Sequence, residues 1–225
     1  MHAEKWQKGK VYLNNKGEAF EYLDSEIKGK ARYHLLRFVA TDNYQYVHTA
    51  ILNNPSRLRD SSKPHVAGVG HSKGTKDRPF APHMYPHAYE VWCAMINRCY
   101  LGGSGVRSYK DVFVAEEWHD FNNFLSWFEA EISDGSSILK NRLALDKDLF
   151  GAGKRIYSSD TCCFIPMSIN SLLVGLDSSR TSEELLKRVN RLQEQLEVFG
   201  HILSPKVKER LLKKIKDLNL KITHN

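Results

Sequence analysis

The stretch that decides the fold runs from Leu143 to Asn170 and reads LALDKDLFGAGKRIYSSDTCCFIPMSIN. Its pattern predicts a strand, then a glycine turn at GAGK, and then a second strand. A helix is predicted to begin near Met167. We therefore expect a compact β-hairpin followed by a helix.

Three polar side chains of this stretch, Asp146, Asp148 and Asn170, are candidates for a metal site. A hairpin packed on a helix forms a minimal cage for one divalent metal when acidic or amide side chains face each other. Such oxygen ligands suit Mg²⁺ or Mn²⁺, which bridge to substrate phosphate. Because the D-x-D pattern is also explained by salt bridges to neighbouring basic side chains, both interpretations stay open.

The N-terminal part has the pattern of a small antiparallel sheet or barrel. Between Gly9 and Ile51, aromatic and β-branched residues recur at near period two in the runs KVYLNN, EAFEYLD, ARYHLLRFV and YQYVHTAIL. Asparagine, aspartate and glycine supply turns between these runs. We expect a β-rich, SH3-like module over residues 1–60.

A segment dense in proline, glycine and serine follows, and we interpret residues 61–86 as a basic linker. The stretch from Arg57 to Arg78 contains six lysines and arginines but only two aspartates. Glycine permits close approach of a nucleic-acid strand, and basic side chains contact its phosphates. The predicted contacts are Arg57, Arg59, Lys73, Lys76 and Arg78. A solvated loop without a ligand is the alternative.

Two amphipathic helices are predicted after this segment, one over residues 87–100 and one in WHDFNNFLSWFEAEI. Their aromatic residues recur at helical spacing, which is typical of core positions. Together with the hairpin they form a predicted central core over residues 87–180.

Residues 181–225 are predicted to form a helical hairpin. Ser204 and Pro205 suit the N-cap and first position of its second helix. The stretch from Ser182 to Asn225 contains ten lysines and arginines and six acidic residues. The apolar stripes, with basic residues opposite, favour packing within the hairpin or a homodimer through these helices. A merely solvated basic face is the alternative.

Composition narrows the class of protein. The 225 residues carry a net charge of +7, which favours DNA, RNA or another anionic partner. No window approaches the roughly 18 apolar residues of a membrane span, and the N-terminus lacks a signal peptide's apolar region. The four cysteines do not suggest a secreted disulfide framework, and zinc is not expected because no C-x-x-C motif exists. We expect a cytoplasmic protein with reduced thiols.

Three ordered elements resemble bacteriophage HNH-endonuclease-like proteins of the homing-endonuclease type. The first is W-x-x-M-x-x-R-C-Y, the second is V-x-x-x-W-x-x-F-x-x-F-x-x-W, and the third is L-D-K-D followed by Y-S-x-x-T-C-x-F-x-P-x-x-I-N. The matching residues are Trp92, Met95, Arg98, Cys99 and Tyr100; Val114, Trp118, Phe121, Phe124 and Trp127; and Leu145, Asp146, Lys147, Asp148, Tyr157, Ser158, Thr161, Cys162, Phe164, Pro166, Ile169 and Asn170.

The patterns above predict an α+β protein, and the resemblance implies a ββα-metal core that grips DNA and cleaves one strand. The DNA is expected to be double-stranded and the protein to lie in the host cell cytoplasm. The catalytic set would be Asp146, Lys147, Asp148 and Asn170, and the basic residues Arg98, Lys154 and Arg155 are further candidate DNA contacts. The sequence departs from the family at Lys147, which stands where a general-base histidine is expected. A lysine of ordinary pKa is protonated at neutral pH and accepts no proton.

A second departure is Thr161, which stands where the family has its middle asparagine. Either another residue is the base, with Asp148 and His87 as candidates, or cleavage has been lost. The leading hypothesis is a metal-dependent DNA endonuclease. The first alternative is an inactive relative that binds DNA or a host protein as a regulator, inhibitor or counter-defence factor. The second is a protein-interaction scaffold without nucleic acid.

Overall fold

A computed structural model describes residues 6–54, 56–101, 111–132, 143–151, 153–174 and 181–223. It confirms the mixed α+β class, with a small antiparallel sheet near the N-terminus, helices after it and a helix pair at the C-terminus. The chain divides into two compact units, Met1–Lys110 with Val114–Ser126, and Asp111–Phe113 with Trp127–Asn225.

The strands and helices follow in this order: β1 Val11–Leu13, β2 Ala19–Lys28, β3 Ala31–Phe38, β4 Asn43–His48, α1 Thr49–Leu52, α2 Pro86–Tyr100, β5 Phe113–Val114, α3 Phe121–Glu131, β6 Leu143–Asp146, α4 Asp148–Gly151, β7 Ile156–Tyr157, β8 Cys163–Pro166, α5 Met167–Leu173, α6 Ser182–Phe199 and α7 Pro205–Thr223. Short 3₁₀ turns occupy Pro82–Met84 and Glu116–His119. None of the helices within the described ranges is both long and apolar enough to cross a membrane.

The first unit is built on a four-stranded antiparallel sheet of order β1-β2-β3-β4. The predicted fourth strand, YQYVHTAIL, is wrong in its second half, because Thr49–Leu52 forms one helical turn. The ring nitrogen Nδ1 of His48 accepts the Ala50 N–H at 3.1 Å and so caps this turn. The turn brings Leu52 into the core beneath the sheet, where it is fully buried.

Residues 61–86 are packed into this unit through a buried polar network. The Asn43 side chain donates to Asp60 Oδ1 at 2.7 Å and to Ser61 Oγ at 3.0 Å, and its oxygen accepts the Gly74 N–H at 2.8 Å. A Cβ at Gly74 would overlap the carbonyl of Tyr44. Only glycine fits there, so the segment lies directly against the edge of β4.

The aromatic stripes of α2 and α3 are core, as the sequence predicts. Trp92 and Phe121 are buried with their ring centroids 5.4 Å apart. The indole N–H of Trp92 donates to the Trp118 carbonyl at 2.7 Å, which satisfies the one polar atom of a fully buried ring. Both residues therefore stabilise the fold of the first unit.

A buried histidine makes this unit sensitive to acid. The His34 ring lies 3.2 Å from the Tyr22 hydroxyl and 2.9 Å from the Thr49 hydroxyl, and burial lowers its pKa. In the unfolded chain His34 binds a proton below its ordinary pKa of 6.5, whereas in the folded chain it binds that proton only at lower pH. Stability from this group is therefore complete above that pH and is lost as the pH falls below it.

We expect the melting temperature to fall between about pH 7 and about pH 5. The His34→Gln variant, which cannot titrate there, should show a smaller fall. Burial lowers the pKa of His65 and of His83 in the same way, so some acid sensitivity should remain. An identical fall in wild type and His34→Gln would show that His34 contributes nothing.

The second unit contains the predicted ββα arrangement. Strands β6 and β8 pair antiparallel, with Asp146 opposite Cys163, and α5 follows β8 directly and packs on both strands. The predicted connection is wrong, because β6 and β8 are not joined by a tight hairpin turn. Instead α4 and β7 lie between the two paired strands.

The C-terminal helix pair completes this unit. Its two apolar stripes are buried against each other and against Ile165 and Ile169 of the ββα element. The stripe residues with little exposure are Val189, Leu192, Leu196, Val207, Leu211, Ile215 and Leu218. These side chains form the core of one chain, so a homodimer would have to use other residues.

Candidate functional site

Asp146 ends strand β6, and its carboxylate is held by backbone N–H groups. Oδ1 accepts from Asp148 N at 3.0 Å and from Leu149 N at 2.8 Å, so Asp146 acts as the N-cap of the short helix α4. The residue is 6% exposed. Burial raises the pKa of its carboxyl, and the two N–H donors oppose that rise.

The three predicted metal ligands line one cavity of about 550 Å³, here called the ββα cavity. Asp146 lies at the end of β6, Asp148 is exposed at the start of α4, and Asn170 is half-buried on α5. The structure thus brings together the three residues that the sequence singled out. All three belong to the second unit.

Helix α7 supplies a further wall of the ββα cavity. Arg210, Lys213, Lys214 and Asp217 line it from successive turns of one helix face. The guanidinium Nε of Arg210 donates to the Leu149 carbonyl at 3.0 Å, which ties α7 to α4. The cavity therefore has three cationic side chains and three carboxylates around it.

Lys147, the residue at the family's histidine position, is not among the lining residues of the ββα cavity. Its side chain is 11% exposed, its ammonium pairs with Asp148, and it lies 5.8 Å from the centre of the Tyr157 ring. Lys147 is thus placed as the partner of Asp148.

The arrangement offers no preformed site for Mg²⁺. No group of three or more histidine, cysteine or acidic side chains within the described residues could hold a metal ion. Asp146 Oδ1 accepts two N–H groups, Asp148 Oδ1 pairs with Lys147, and Arg210, Lys213 and Lys214 line the same cavity. Since Mg²⁺ is usually held by one or two carboxylates together with waters and substrate phosphates, the magnesium site at these residues stays a prediction.

The capping role of Asp146 predicts a structural effect of its replacement. Asp146→Ala leaves two N–H groups at the start of α4 without an acceptor and is expected to lower the free energy of unfolding by about 0.5–2 kcal/mol. Asp146→Asn keeps an acceptor and should retain most of the stability. Urea unfolding of the two variants measures the difference, and equal loss in both would contradict the capping role.

Two other residues of the resembled pattern, Thr161 and Cys162, are buried. Thr161, at the position of the middle asparagine, is buried, and its hydroxyl donates to the Ile156 carbonyl at 2.7 Å. Cys162 is buried as well, and burial raises the pKa of its thiol to about 12. His87, the alternative base, belongs to α2 in the first unit.

The predicted nucleic-acid contacts are divided between the units. Lys154 and Arg155 are exposed beyond Gly153 in the second unit, where Arg155 lies 3.7 Å from Asp111. The remaining six are exposed in the first unit: Arg57, Arg59, Lys73, Lys76, Arg78 and Arg98. The structure brings Arg57 and Arg59 to one cavity of that unit, and Arg78 lines a different one.

Sequence reasoning missed the contribution of α7 to the site. The spacing of Arg210, Lys213, Lys214 and Asp217 is a visible signal, because residues three and four apart share a helix face. Their location is not visible, since it depends on contacts with α4 about sixty residues earlier in the chain, such as the bond from Arg210 to Leu149. The basic wall is therefore a finding of the structure.

Comparison of the chain with protein-family models, curated proteins and solved structures finds no match.

Proposed function

We propose that this protein binds duplex DNA through its phosphates, with the ββα cavity as the central contact, and that it is an HNH-endonuclease-type protein without the cleavage step. The observation that carries this proposal is the basic wall of the ββα cavity, formed by Arg210, Lys213 and Lys214. Such side chains bind DNA by neutralising phosphates and releasing counterions. The net charge of +7 supports the same partner.

Exposed basic residues of the same unit extend this surface. Lys154 and Arg155 follow Gly153, whose positive φ of 87° makes a sharp turn possible. A turn of this kind presents two cations and an unhindered backbone to a DNA strand. Phosphate contacts of this type position a protein on DNA without reading its sequence.

Two observations favour binding without cleavage. Lys147 is ion-paired at the position of the general base, and no histidine is among the described residues that line the ββα cavity. The carboxylate of Asp146 accepts backbone N–H groups, and that of Asp148 pairs with Lys147. A protein of this kind would occupy DNA in the host cytoplasm as a regulator, inhibitor or counter-defence factor.

A second candidate function is metal-dependent cleavage of DNA. It is favoured by the placement of Asp146, Asp148 and Asn170 on one cavity beside cationic side chains. Oxygen donors and cations around one phosphate are the groups that phosphodiester cleavage requires.

Incubation with supercoiled plasmid and Mg²⁺ or Mn²⁺ separates the two candidates, with a gel shift on the same samples. The control is Asp146→Asn/Asp148→Asn, because asparagine keeps the cap of α4. A shift without nicking is the expected result. Nicking that disappears in the control would establish the nuclease instead, and the absence of both a shift and nicking would refute DNA binding.

A further inference from the structure

The first unit contains a separate cavity of about 280 Å³ with aromatic walls, here called the aromatic cavity. Strands β3 and β4 form one side, and the segment from Arg57 to Tyr89 forms the other. Seven rings line it: Tyr33, Tyr46, His48, His65, Phe80, His83 and Tyr89. Pockets for whole drug-sized ligands span about 300–1,000 Å³. Since the aromatic cavity lies just below that range, its volume suits a smaller ligand such as a single planar group.

The rings are held in place by contacts with each other. Tyr33 and His83 stack with centroids 3.7 Å apart and planes 9° apart, and Tyr46 meets His83 edge-on at 5.7 Å. Phe80 contacts Tyr89 at 5.9 Å in a T-shaped arrangement. The aromatic walls are therefore organised before any ligand enters, which lowers the entropy cost of binding.

The charges at the aromatic cavity favour an anion. Arg57 and Arg59 line it and are exposed, and none of the described residues that line it is an aspartate or glutamate. The nearby Glu26 lies 3.4 Å from His83 but is not a lining residue. Burial lowers the pKa of His65 and His83, which favours the uncharged form of both rings. Aromatic rings beside two guanidinium groups match a planar ring that carries phosphate.

We propose that the aromatic cavity binds an unpaired nucleobase of a nucleic-acid strand, with the adjoining phosphates on Arg57 and Arg59. Bases stack on aromatic side chains irrespective of their identity, and arginine contacts the backbone. The inference rests on the proposed function in one respect only, that the ligand is nucleic acid. It uses none of the residues of the ββα cavity.

The test compares a short single-stranded oligothymidylate with an oligomer of equal length whose sites are all abasic. Both are titrated into the full chain, and binding is followed by fluorescence anisotropy. Wild type is expected to bind the base-bearing oligomer at least about tenfold more tightly. Tyr33→Leu, which removes a ring but keeps an apolar side chain, should abolish that preference.

A second variant tests the arginines. Arg57→Ala/Arg59→Ala should weaken binding of both oligomers alike and lower the salt slope by about 1.4, since each phosphate contact on a single strand contributes about 0.7. Circular dichroism verifies that each variant is folded. His83→Leu replaces Tyr33→Leu if the latter unfolds.

Equal binding of the two oligomers by wild type, or failure to bind either, would overturn the inference. So would a base preference that survives in folded Tyr33→Leu and His83→Leu. Duplex binding in the same samples reports on the ββα cavity. Loss of duplex binding with the base preference intact would refute the proposed function alone, whereas duplex binding without base preference would refute the inference alone.

Discussion

Replacement of Lys213 and Lys214 by glutamine is expected to lower the affinity for duplex DNA on the order of a hundredfold at moderate salt, because two phosphate contacts are lost. Both residues lie in the basic wall of the ββα cavity. Each phosphate contact adds about 0.9 to the slope of log K against log salt, so the slope should fall by about 1.8. Anisotropy titrations at several salt concentrations measure both quantities.

The matched control is Lys208→Gln/Lys216→Gln. These lysines are exposed on the same helix and do not line the ββα cavity, so the change in net charge is identical while the site is intact. Only a small loss of affinity is expected. If the two double variants lose affinity equally, the effect comes from overall charge and the ββα cavity is not the contact.

Leu211→Ala is expected to destabilise the second unit by about 2–5 kcal/mol, since it creates a cavity in a closed core. Leu211 is 0% exposed and belongs to the core formed by the helix pair and the ββα element. The loss would loosen the helix that carries the basic wall. Urea unfolding followed by circular dichroism measures the change in free energy.

The adjacent residue provides the control for this prediction. Leu212 is 50% exposed, and Leu212→Ala should change the free energy of unfolding by no more than about 0.5 kcal/mol. Similar losses in both variants would mean that α7 does not pack as described.

Local patterns predicted much of the fold. The helix expected over residues 87–100 is observed as Pro86–Tyr100, and the helix expected near Met167 begins at that residue. Ser204 precedes the last helix and accepts the Val207 N–H at 3.4 Å, as a cap should. These features depend on residues near in sequence, which is why they are visible there.

Features that depend on distant contacts were missed. The pattern YQYVHTAIL suits a strand throughout, yet the chain turns at His48 because Leu52 packs under the sheet. Likewise GAGK suits a hairpin turn, whereas β6 pairs with β8 across an inserted helix and strand. In both places tertiary packing overrides the local preference of the sequence for strand or turn.

Part of the candidate site could be predicted from the sequence. Asp146, Asp148 and Asn170 were predicted together and do share a cavity. The role of Asp146 as a helix cap was not predicted, and neither was the ion pair that occupies Lys147. The metal site at these residues stays a prediction, and the cationic side chains that line the same cavity were not predicted.

The most direct test of the central claim is an anisotropy titration of wild type with duplex DNA in EDTA, at salt concentrations from about 50 to about 200 mM. We expect binding without metal, with affinity that falls steeply as salt rises, because the proposed contacts are cations on phosphates. Binding that requires Mg²⁺ or Mn²⁺, or no binding of duplex DNA at any salt concentration, would contradict it.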